Sequence, residues 1–169
     1  MHADPAVRRA ALFRRWSELG ADPESPDRYE LNEFGELIVS PKPTHGHQLV
    51  ATTVAVQLVA QLGPGAAVDV SVYTDRGIRA PDVVWMPPAR WAECKGKDPV
   101  PFVPDLCVEV LSPSNTREEI AMKVAACLRG GAREAIVVGL KGEIQRFGPK
   151  CKRKRSVLGV VLKLAPGLF

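Results

Sequence analysis

Between Pro104 and Pro113 stands the run Leu106-Cys107-Val108-Glu109-Val110-Leu111, in which every residue but one is apolar. A run so short and so apolar is buried on both faces, so it predicts a central strand with a sheet built around it. Glu109 is the exception. An ionised carboxylate in such a strand costs several kcal/mol unless a cation or hydrogen-bond donors compensate it. A second carboxylate has similar surroundings in Ala80-Pro81-Asp82-Val83-Val84. Two such groups on neighbouring strands predict a divalent-metal site.

The flanking sequence supplies the layers. Ala6, Ala10, Leu12, Phe13, Trp16 and Leu19 keep the rhythm of an amphipathic helix from Pro5 that ends before Gly20. Arg28 to Leu31 and Glu36 to Ser40 flank Asn32-Glu33-Phe34-Gly35 and predict a hairpin. His47 to Leu62 reads as a helix stopped by Gly63-Pro64-Gly65. Val68, Val70 and Val72 alternate with polar residues as one strand, and Ile78 to Met86 as another, interrupted at Pro81. Pro87 to Pro101 reads as a loop. After Ser112-Pro113, Ser114 or Asn115 caps a helix that runs to about Arg129, with Glu118 completing a capping box from Asn115. Glu134 to Leu140, Glu143 to Phe147 and Val157 to Leu164 read as strands. The fold class is therefore α/β (α+β), a central mixed sheet flanked by helices. At 169 residues the chain is expected to be one domain over 1–169, with an N-terminal helix at about 5–19 and a C-terminal β extension at about 143–164.

The formal net charge is only +4, but Lys150, Lys152, Arg153, Lys154 and Arg155 cluster near the C-terminus, and Arg8, Arg9, Arg14 and Arg15 near the start. Such patches favour a polyanion such as nucleic acid; a late hairpin rich in Lys and Arg can equally protect a sheet edge. Cysteines 94, 107, 127 and 151 have no zinc-site spacing and read as reduced thiols of a cytoplasmic protein. No signal core and no membrane-spanning stretch is visible in the sequence.

Strand alternation puts Glu109 on a face with Cys107 and Leu111. On the following helix Ile120, Val124, Cys127 and Leu128 form the apolar stripe, and Lys123 falls at its border, from which a long side chain reaches the carboxylates. Asp82, Glu109 and Lys123 thus suit phosphodiester hydrolysis, two hard oxygen ligands holding Mg²⁺ or Mn²⁺ and a lysine serving the water or the transition state. Each residue alone has a plainer reading. Asp82 after Pro81 can cap a bulge, Lys123 can pair with Glu119 one turn away, and His45 and His47 fit capping or surface roles. Ser112 and Ser114 are placed as caps rather than nucleophiles, and Trp16, Trp85 and Trp91 as packing.

The combination of Pro81-Asp82, Val108-Glu109-Val110-Leu111-Ser112-Pro113-Ser114, Lys123, Gly35-Glu36-Leu37-Ile38-Val39-Ser40-Pro41 and His47 resembles the Uma-type family of the PD-(D/E)xK nuclease superfamily, over roughly residues 28 to 147. The resemblance implies a restriction-endonuclease-like fold and metal-dependent cleavage of DNA, with Asp82 and Glu109 as ligands of Mg²⁺ or Mn²⁺. The superfamily's usual lysine position, two residues after Glu109, holds Leu111; the Uma-type pattern supplies the lysine from the next helix, here Lys123. Glu36 matches the family's extra acidic residue, as a third ligand or water-binding group. Cys127 stands where the family commonly has Tyr, and Ala135 to Gly139 where it has Tyr-Trp-Leu-Val-Asp. By analogy with such folds a homodimer is expected. The rival reading is a module that keeps the fold and binds nucleic acid or a protein partner without cutting.

Overall fold

The computed structural model describes residues 4–139, 141–165 and 167. In chain order its elements begin with α1 (Pro5–Ala21), β1 (Glu30–Leu31), β2 (Leu37–Ile38), α2 (His45–Leu62) and β3 (Ala66–Val68). Then come β4 (Val72–Thr74), β5 (Gly77–Arg79), β6 (Val83–Trp85), α3 (Pro88–Glu93) and β7 (Leu106–Val110). The chain continues through α4 (Arg117–Arg129), β8 (Glu134–Val138), β9 (Ile144–Phe147) and β10 (Lys152–Arg153).

The strands form two sheets, one ordered β2-β1-β5-β4 and the other β10-β9-β8-β7-β6-β3. In the larger sheet β7 and β8 run parallel, as a strand pair joined by a crossover helix must, and α4 is that crossover. Alternation along β7 sorts the core. Leu106, Val108 and Val110 meet Val50, Val54 and Leu58 of α2 on one face. Cys107 meets Cys127 of α4 on the other, and Val124 of α4 packs on Ala135 and Val137 of β8. Burying each Leu or Val contributes about 1.5–3 kcal/mol, so a one-residue slip of β7 would lose both faces at once. The smaller sheet is covered by Leu12, Trp16 and Leu19 of α1, packed on Leu31 and Ile78. Gly77 permits this: its φ is +104°, and a Cβ there would overlap the Leu31 carbonyl oxygen.

Several sequence expectations are corrected. The strand expected through Val68, Val70 and Val72 is two strands in different sheets, because Asp69 takes a left-handed φ of 57° and turns the chain. Ile78 to Met86 is likewise split at Pro81 into β5 and β6. There are accordingly two sheets and not one. The Pro-rich loop contains α3, with Pro88 in the first turn where its missing N–H costs nothing. Helix α2 starts two residues earlier than expected, since Thr44 caps it by accepting from the His47 N–H at 3.2 Å. The capping box of α4 is Thr116 with Glu119, one residue beyond the expected pair. Leu140, the expected end of the β8 strand, lies outside the described residues.

Residues 157–164 form no strand ladder. They run as an extended strap across α2, with Val160 and Leu162 in the core. Two glutamine amides replace the missing partner strand. Gln57 accepts from the Lys163 N–H and donates to its carbonyl, both at 2.7 Å. Gln61 does the same with Val161, at 2.9 and 3.0 Å. A hydrogen bond of this kind contributes on the order of 0.5–1.5 kcal/mol net, so Gln57→Ala/Gln61→Ala is expected to lower the unfolding free energy by about 2–4 kcal/mol. Faster amide exchange at Val161 and Lys163 is the accompanying signature. Unchanged stability in denaturant would show that Val160 and Leu162 alone hold the strap.

Candidate active site

The site lies where the chain crosses from one sheet to the other. After β5 the backbone passes Pro81 and enters β6, whose register sets Val83 against Val108 of β7. One step further along that register, Asp82 comes opposite Glu109. The Asp82 carboxylate is fixed through Oδ2, which accepts the Val110 N–H at 2.7 Å. His47 Nε2 stands 3.3 Å from the same oxygen and 3.0 Å from the Val110 carbonyl oxygen. The hydrogen bond to Asp82 raises the His47 pKa above the ordinary imidazole range, overcoming the opposing effect of burial. Among the described residues no donor reaches Asp82 Oδ1.

Glu109 is 5% exposed and Lys123 is its cationic neighbour, with Nζ 3.4 Å from Oε2. The same ammonium lies 3.5 Å from Oε1 of Glu30, which comes from β1 in the other sheet. Glu30 is itself buried, accepting the Ala80 N–H at 2.9 Å and the Arg79 guanidinium at 3.0 Å. Burial pushes the Glu109 carboxyl up to about 8; Lys123 opposes the shift while Asp82 and Glu30 add to it. Burial also works against the charge on Lys123, but Glu109, Glu30 and Asp82 together hold its pKa above the usual lysine range. Asp82, Glu109, Glu30, His47 and Lys123 all line one cleft of about 760 Å³.

Of the residues singled out in the sequence, Asp82, Glu109 and Lys123 are brought into this cleft and Glu36 is not. Glu36 is exposed on the hairpin, where its carboxylate takes the Asn32 side-chain amide. The acidic residue that the hairpin sends to the cluster is Glu30, on the buried strand six positions earlier. Lys123 does not pair with Glu119, which is engaged in the capping box. His47, read as a cap, instead reaches Asp82. The signal for it was periodicity: His47 stands one turn before Val50 and Ala51 and two turns before Val54, on the buried face of α2. Cys127, where the Uma-type pattern has Tyr, is buried with Cys107, Val84, Val103 and Ala132 and supplies packing alone.

The sequence matches the Uma2 family, described as "Putative restriction endonuclease", over residues 11–154. The chain belongs to the Uma2 family. No curated protein matches it in sequence. Among solved structures it resembles a "putative nuclease belonging to DUF820" from Anabaena variabilis ATCC 29413, at 17% identity with a TM-score of 0.65, covering 79% of each chain. At that identity the likeness speaks for the fold, which is mixed α/β and restriction-endonuclease-like.

The donor set of this Uma2 member fits a hard divalent cation. Lys123 is shared by Glu109 and Glu30, and Asp82 and Glu109, level with each other at the β6 and β7 strands, each keep one oxygen free of protein donors among the described residues. No thiol or second imidazole lines the cleft. Asp82 and Glu109 are the residues that would hold the ion.

The electrostatics give a pH prediction for metal-free protein. The raised Glu109 pKa means that the folded chain keeps a proton which the unfolded chain releases near its ordinary value of 4.5. That contribution to stability is fully present below 4.5 and lost as pH rises to about 8. His47, also raised, contributes stability present below 6.5 and lost as pH rises through its folded value, so the two slopes add. Unfolding free energy in chelator is expected to fall on the order of a few kcal/mol between about pH 5 and pH 8, and Glu109→Gln to remove most of that fall. A wild-type profile that is flat or rises over this range would show Glu109 ionised throughout.

Proposed function

We propose that the chain is a metal-dependent endonuclease that hydrolyses DNA phosphodiester bonds, with Asp82 and Glu109 as ligands of Mg²⁺ or Mn²⁺. The observation that carries the reading is the acid cluster: Glu109, Asp82 and Glu30 line one cleft, and where Glu30 has Arg79 and Asp82 has His47, Glu109 has, among the described residues, only a lysine that it shares with Glu30. A buried like-charge cluster is destabilising, and its retention in a cleft is the pattern of a site. The family and the fold of its solved relative support the same conclusion.

When bound, the divalent ion supplies an activated water and neutralises charge on the phosphorane. The chain's own residues do the rest. Val110 N–H and His47 hold Asp82 through Oδ2 and leave Oδ1 without a protein donor among the described residues. Lys123 Nζ, held between Glu109 and Glu30, is placed to orient a water or to meet the developing charge on a phosphoryl oxygen. Arg79 and the Ala80 N–H keep Glu30 in place, so the lysine is positioned from both sheets. Because duplex DNA presents two strands to one cleft, we propose that the working form is a homodimer.

Purified protein is expected to nick or linearise plasmid DNA with Mg²⁺ or Mn²⁺ and to stop with chelator. Glu109→Ala should cut at least about a hundredfold more slowly, since losing a ligand forfeits several kcal/mol of charge stabilisation. Lys123→Ala should lose comparable activity, and Glu30→Gln about tenfold, because one of the two groups that position the ammonium is gone. Circular dichroism must show the variants folded. Absence of metal-dependent cleavage of any DNA or RNA, together with no metal-induced rise in Tm, would favour the binding module instead. Light scattering giving the mass of a single chain would sink the homodimer.

A further inference from the structure

The β9–β10 hairpin places Arg146 directly opposite Arg153. Like charges facing each other across paired strands are destabilising. No acidic side chain stands within ion-pair reach of either arginine among the described residues. Nε of Arg146 is buried and has no hydrogen-bond partner there. On the same sheet face as Arg146, Glu134 turns its Oε2 to Ser156 Oγ and the N–H groups of Val157 and Leu158, and its Oε1, also buried without a hydrogen-bond partner among the described residues, makes no ion pair with Arg146. Arg153 is laid over the turn, where a Cβ on Gly148 would stand 3.0 Å from its Cδ. Lys150, Lys152, Lys154 and Arg155 surround the pair, all exposed. Protection of an open edge accounts for charges on β10, the outermost strand. It does not account for Arg146, which lies on the interior strand β9.

We propose that this hairpin is a second nucleic-acid contact, outside the acidic cleft, in which Arg146 and Arg153 share a backbone phosphate and the neighbouring lysines extend the grip along the strand. Two guanidinium forks facing one phosphodiester turn the repulsion into paired, charge-assisted hydrogen bonds. The hairpin carries no exposed large apolar side chain between residues 144 and 156. Without such an anchor a bilayer would be held by charge alone, whereas two facing guanidinium forks match the single phosphodiester of a polynucleotide, the polymer we assign. Strand β10 is three strands from β7, the carrier of Glu109. The register that sets Arg146 against Ile136 and Val108 places it on the α2 face of the sheet, opposite to Glu109, so the hairpin is a contact separate from the cleft and not a continuation of it. The inference rests on the nuclease reading only for the identity of the polymer.

The test is equilibrium binding of a short labelled DNA duplex by fluorescence anisotropy, in chelator, over a series of salt concentrations. Arg146→Gln/Arg153→Gln is expected to weaken binding at least about tenfold at low salt and to reduce the slope of log K against log salt by about 0.9 for each phosphate that is no longer neutralised. Its Tm should be equal to or higher than wild type, because the facing charges are gone. A purely structural arginine pair would lower Tm and leave the salt slope alone. Should the double variant fail to fold, Lys150→Gln/Lys154→Gln/Arg155→Gln, all on exposed positions, carries the same expectation. Unchanged affinity and slope would overturn the proposal, as would wild-type protein that binds phosphatidylserine vesicles and not DNA. Because binding is read without metal, a protein that grips DNA through the hairpin and cuts nothing sinks the nuclease reading alone. One that cuts while its hairpin variant binds as wild type sinks this inference alone.

Discussion

Lys123 sits between two buried carboxylates that belong to different sheets, Glu109 of β7 and Glu30 of β1. The larger sheet has its own core, and so does the smaller one under α1. At the cleft their junction is polar: Glu30 has Arg79 from its own sheet, and the ammonium is, among the described residues, the one cation that also reaches Glu109 across the seam. A buried pair of this kind is weak evidence for net stability, because desolvation of the charges offsets their attraction. Its effect is positional. It ties α4 to the seam and fixes the distance between β1 and β7, and everything that lines the cleft inherits that distance.

Two breaks in the chain create the seam. Asp69, in a left-handed conformation, sends the backbone from β3 in the larger sheet to β4 in the smaller, and Pro81 sends it back from β5 to β6. The crossings are tied to each other by the Asp69 N–H, which donates to the Asp82 carbonyl at 3.2 Å. Asp69 is held in turn by Arg28 at 2.7 Å. Asp82 therefore enters β6 with its side chain over the cleft because Pro81 cannot continue a ladder, having no N–H to give. The proline is part of the site for that reason alone.

How much of this was legible depended on the range of the forces involved. Glu109 and Lys123 could be placed from β alternation and helix periodicity, which are properties of short windows. Asp82 was legible because Pro81 marks a break on any reading. Glu30 was not: in the sequence it is one more residue of a hairpin strand, and its partners Arg79, the Ala80 N–H and Lys123 of α4 reach it only when the two sheets are brought together. Glu36, favoured through the family pattern, comes just before the neighbouring strand, at the exposed turn end of the hairpin, while Glu30 lies on the buried strand. The undivided strands failed at Asp69 because a single left-handed residue outweighs an alternating apolar pattern. The strap at 157–164 shows the right apolar content, but no sequence rule announces that Gln57 and Gln61 will stand in for a strand.

The clearest indication of what the cleft is for comes from comparing its glutamate with the other fully buried one. Glu134 begins β8, beside β7, and is as deeply enclosed as Glu109. Its Oε2 accepts three hydrogen bonds, from Ser156 Oγ at 2.6 Å and from the N–H groups of Val157 at 3.0 Å and Leu158 at 3.4 Å, donors that also anchor the strap, while its Oε1 is buried without a hydrogen-bond partner among the described residues. That is a carboxylate used to hold a chain in place. Glu109 accepts one long hydrogen bond from a lysine that it shares, and two further carboxylates approach it. Packing could have supplied donors for Glu109 as it did for Glu134, in the same sheet and one strand away. What sets Glu109 apart is its company: Asp82 and Glu30 crowd it in an open cleft, and that repulsion is one a cation arriving from solution removes.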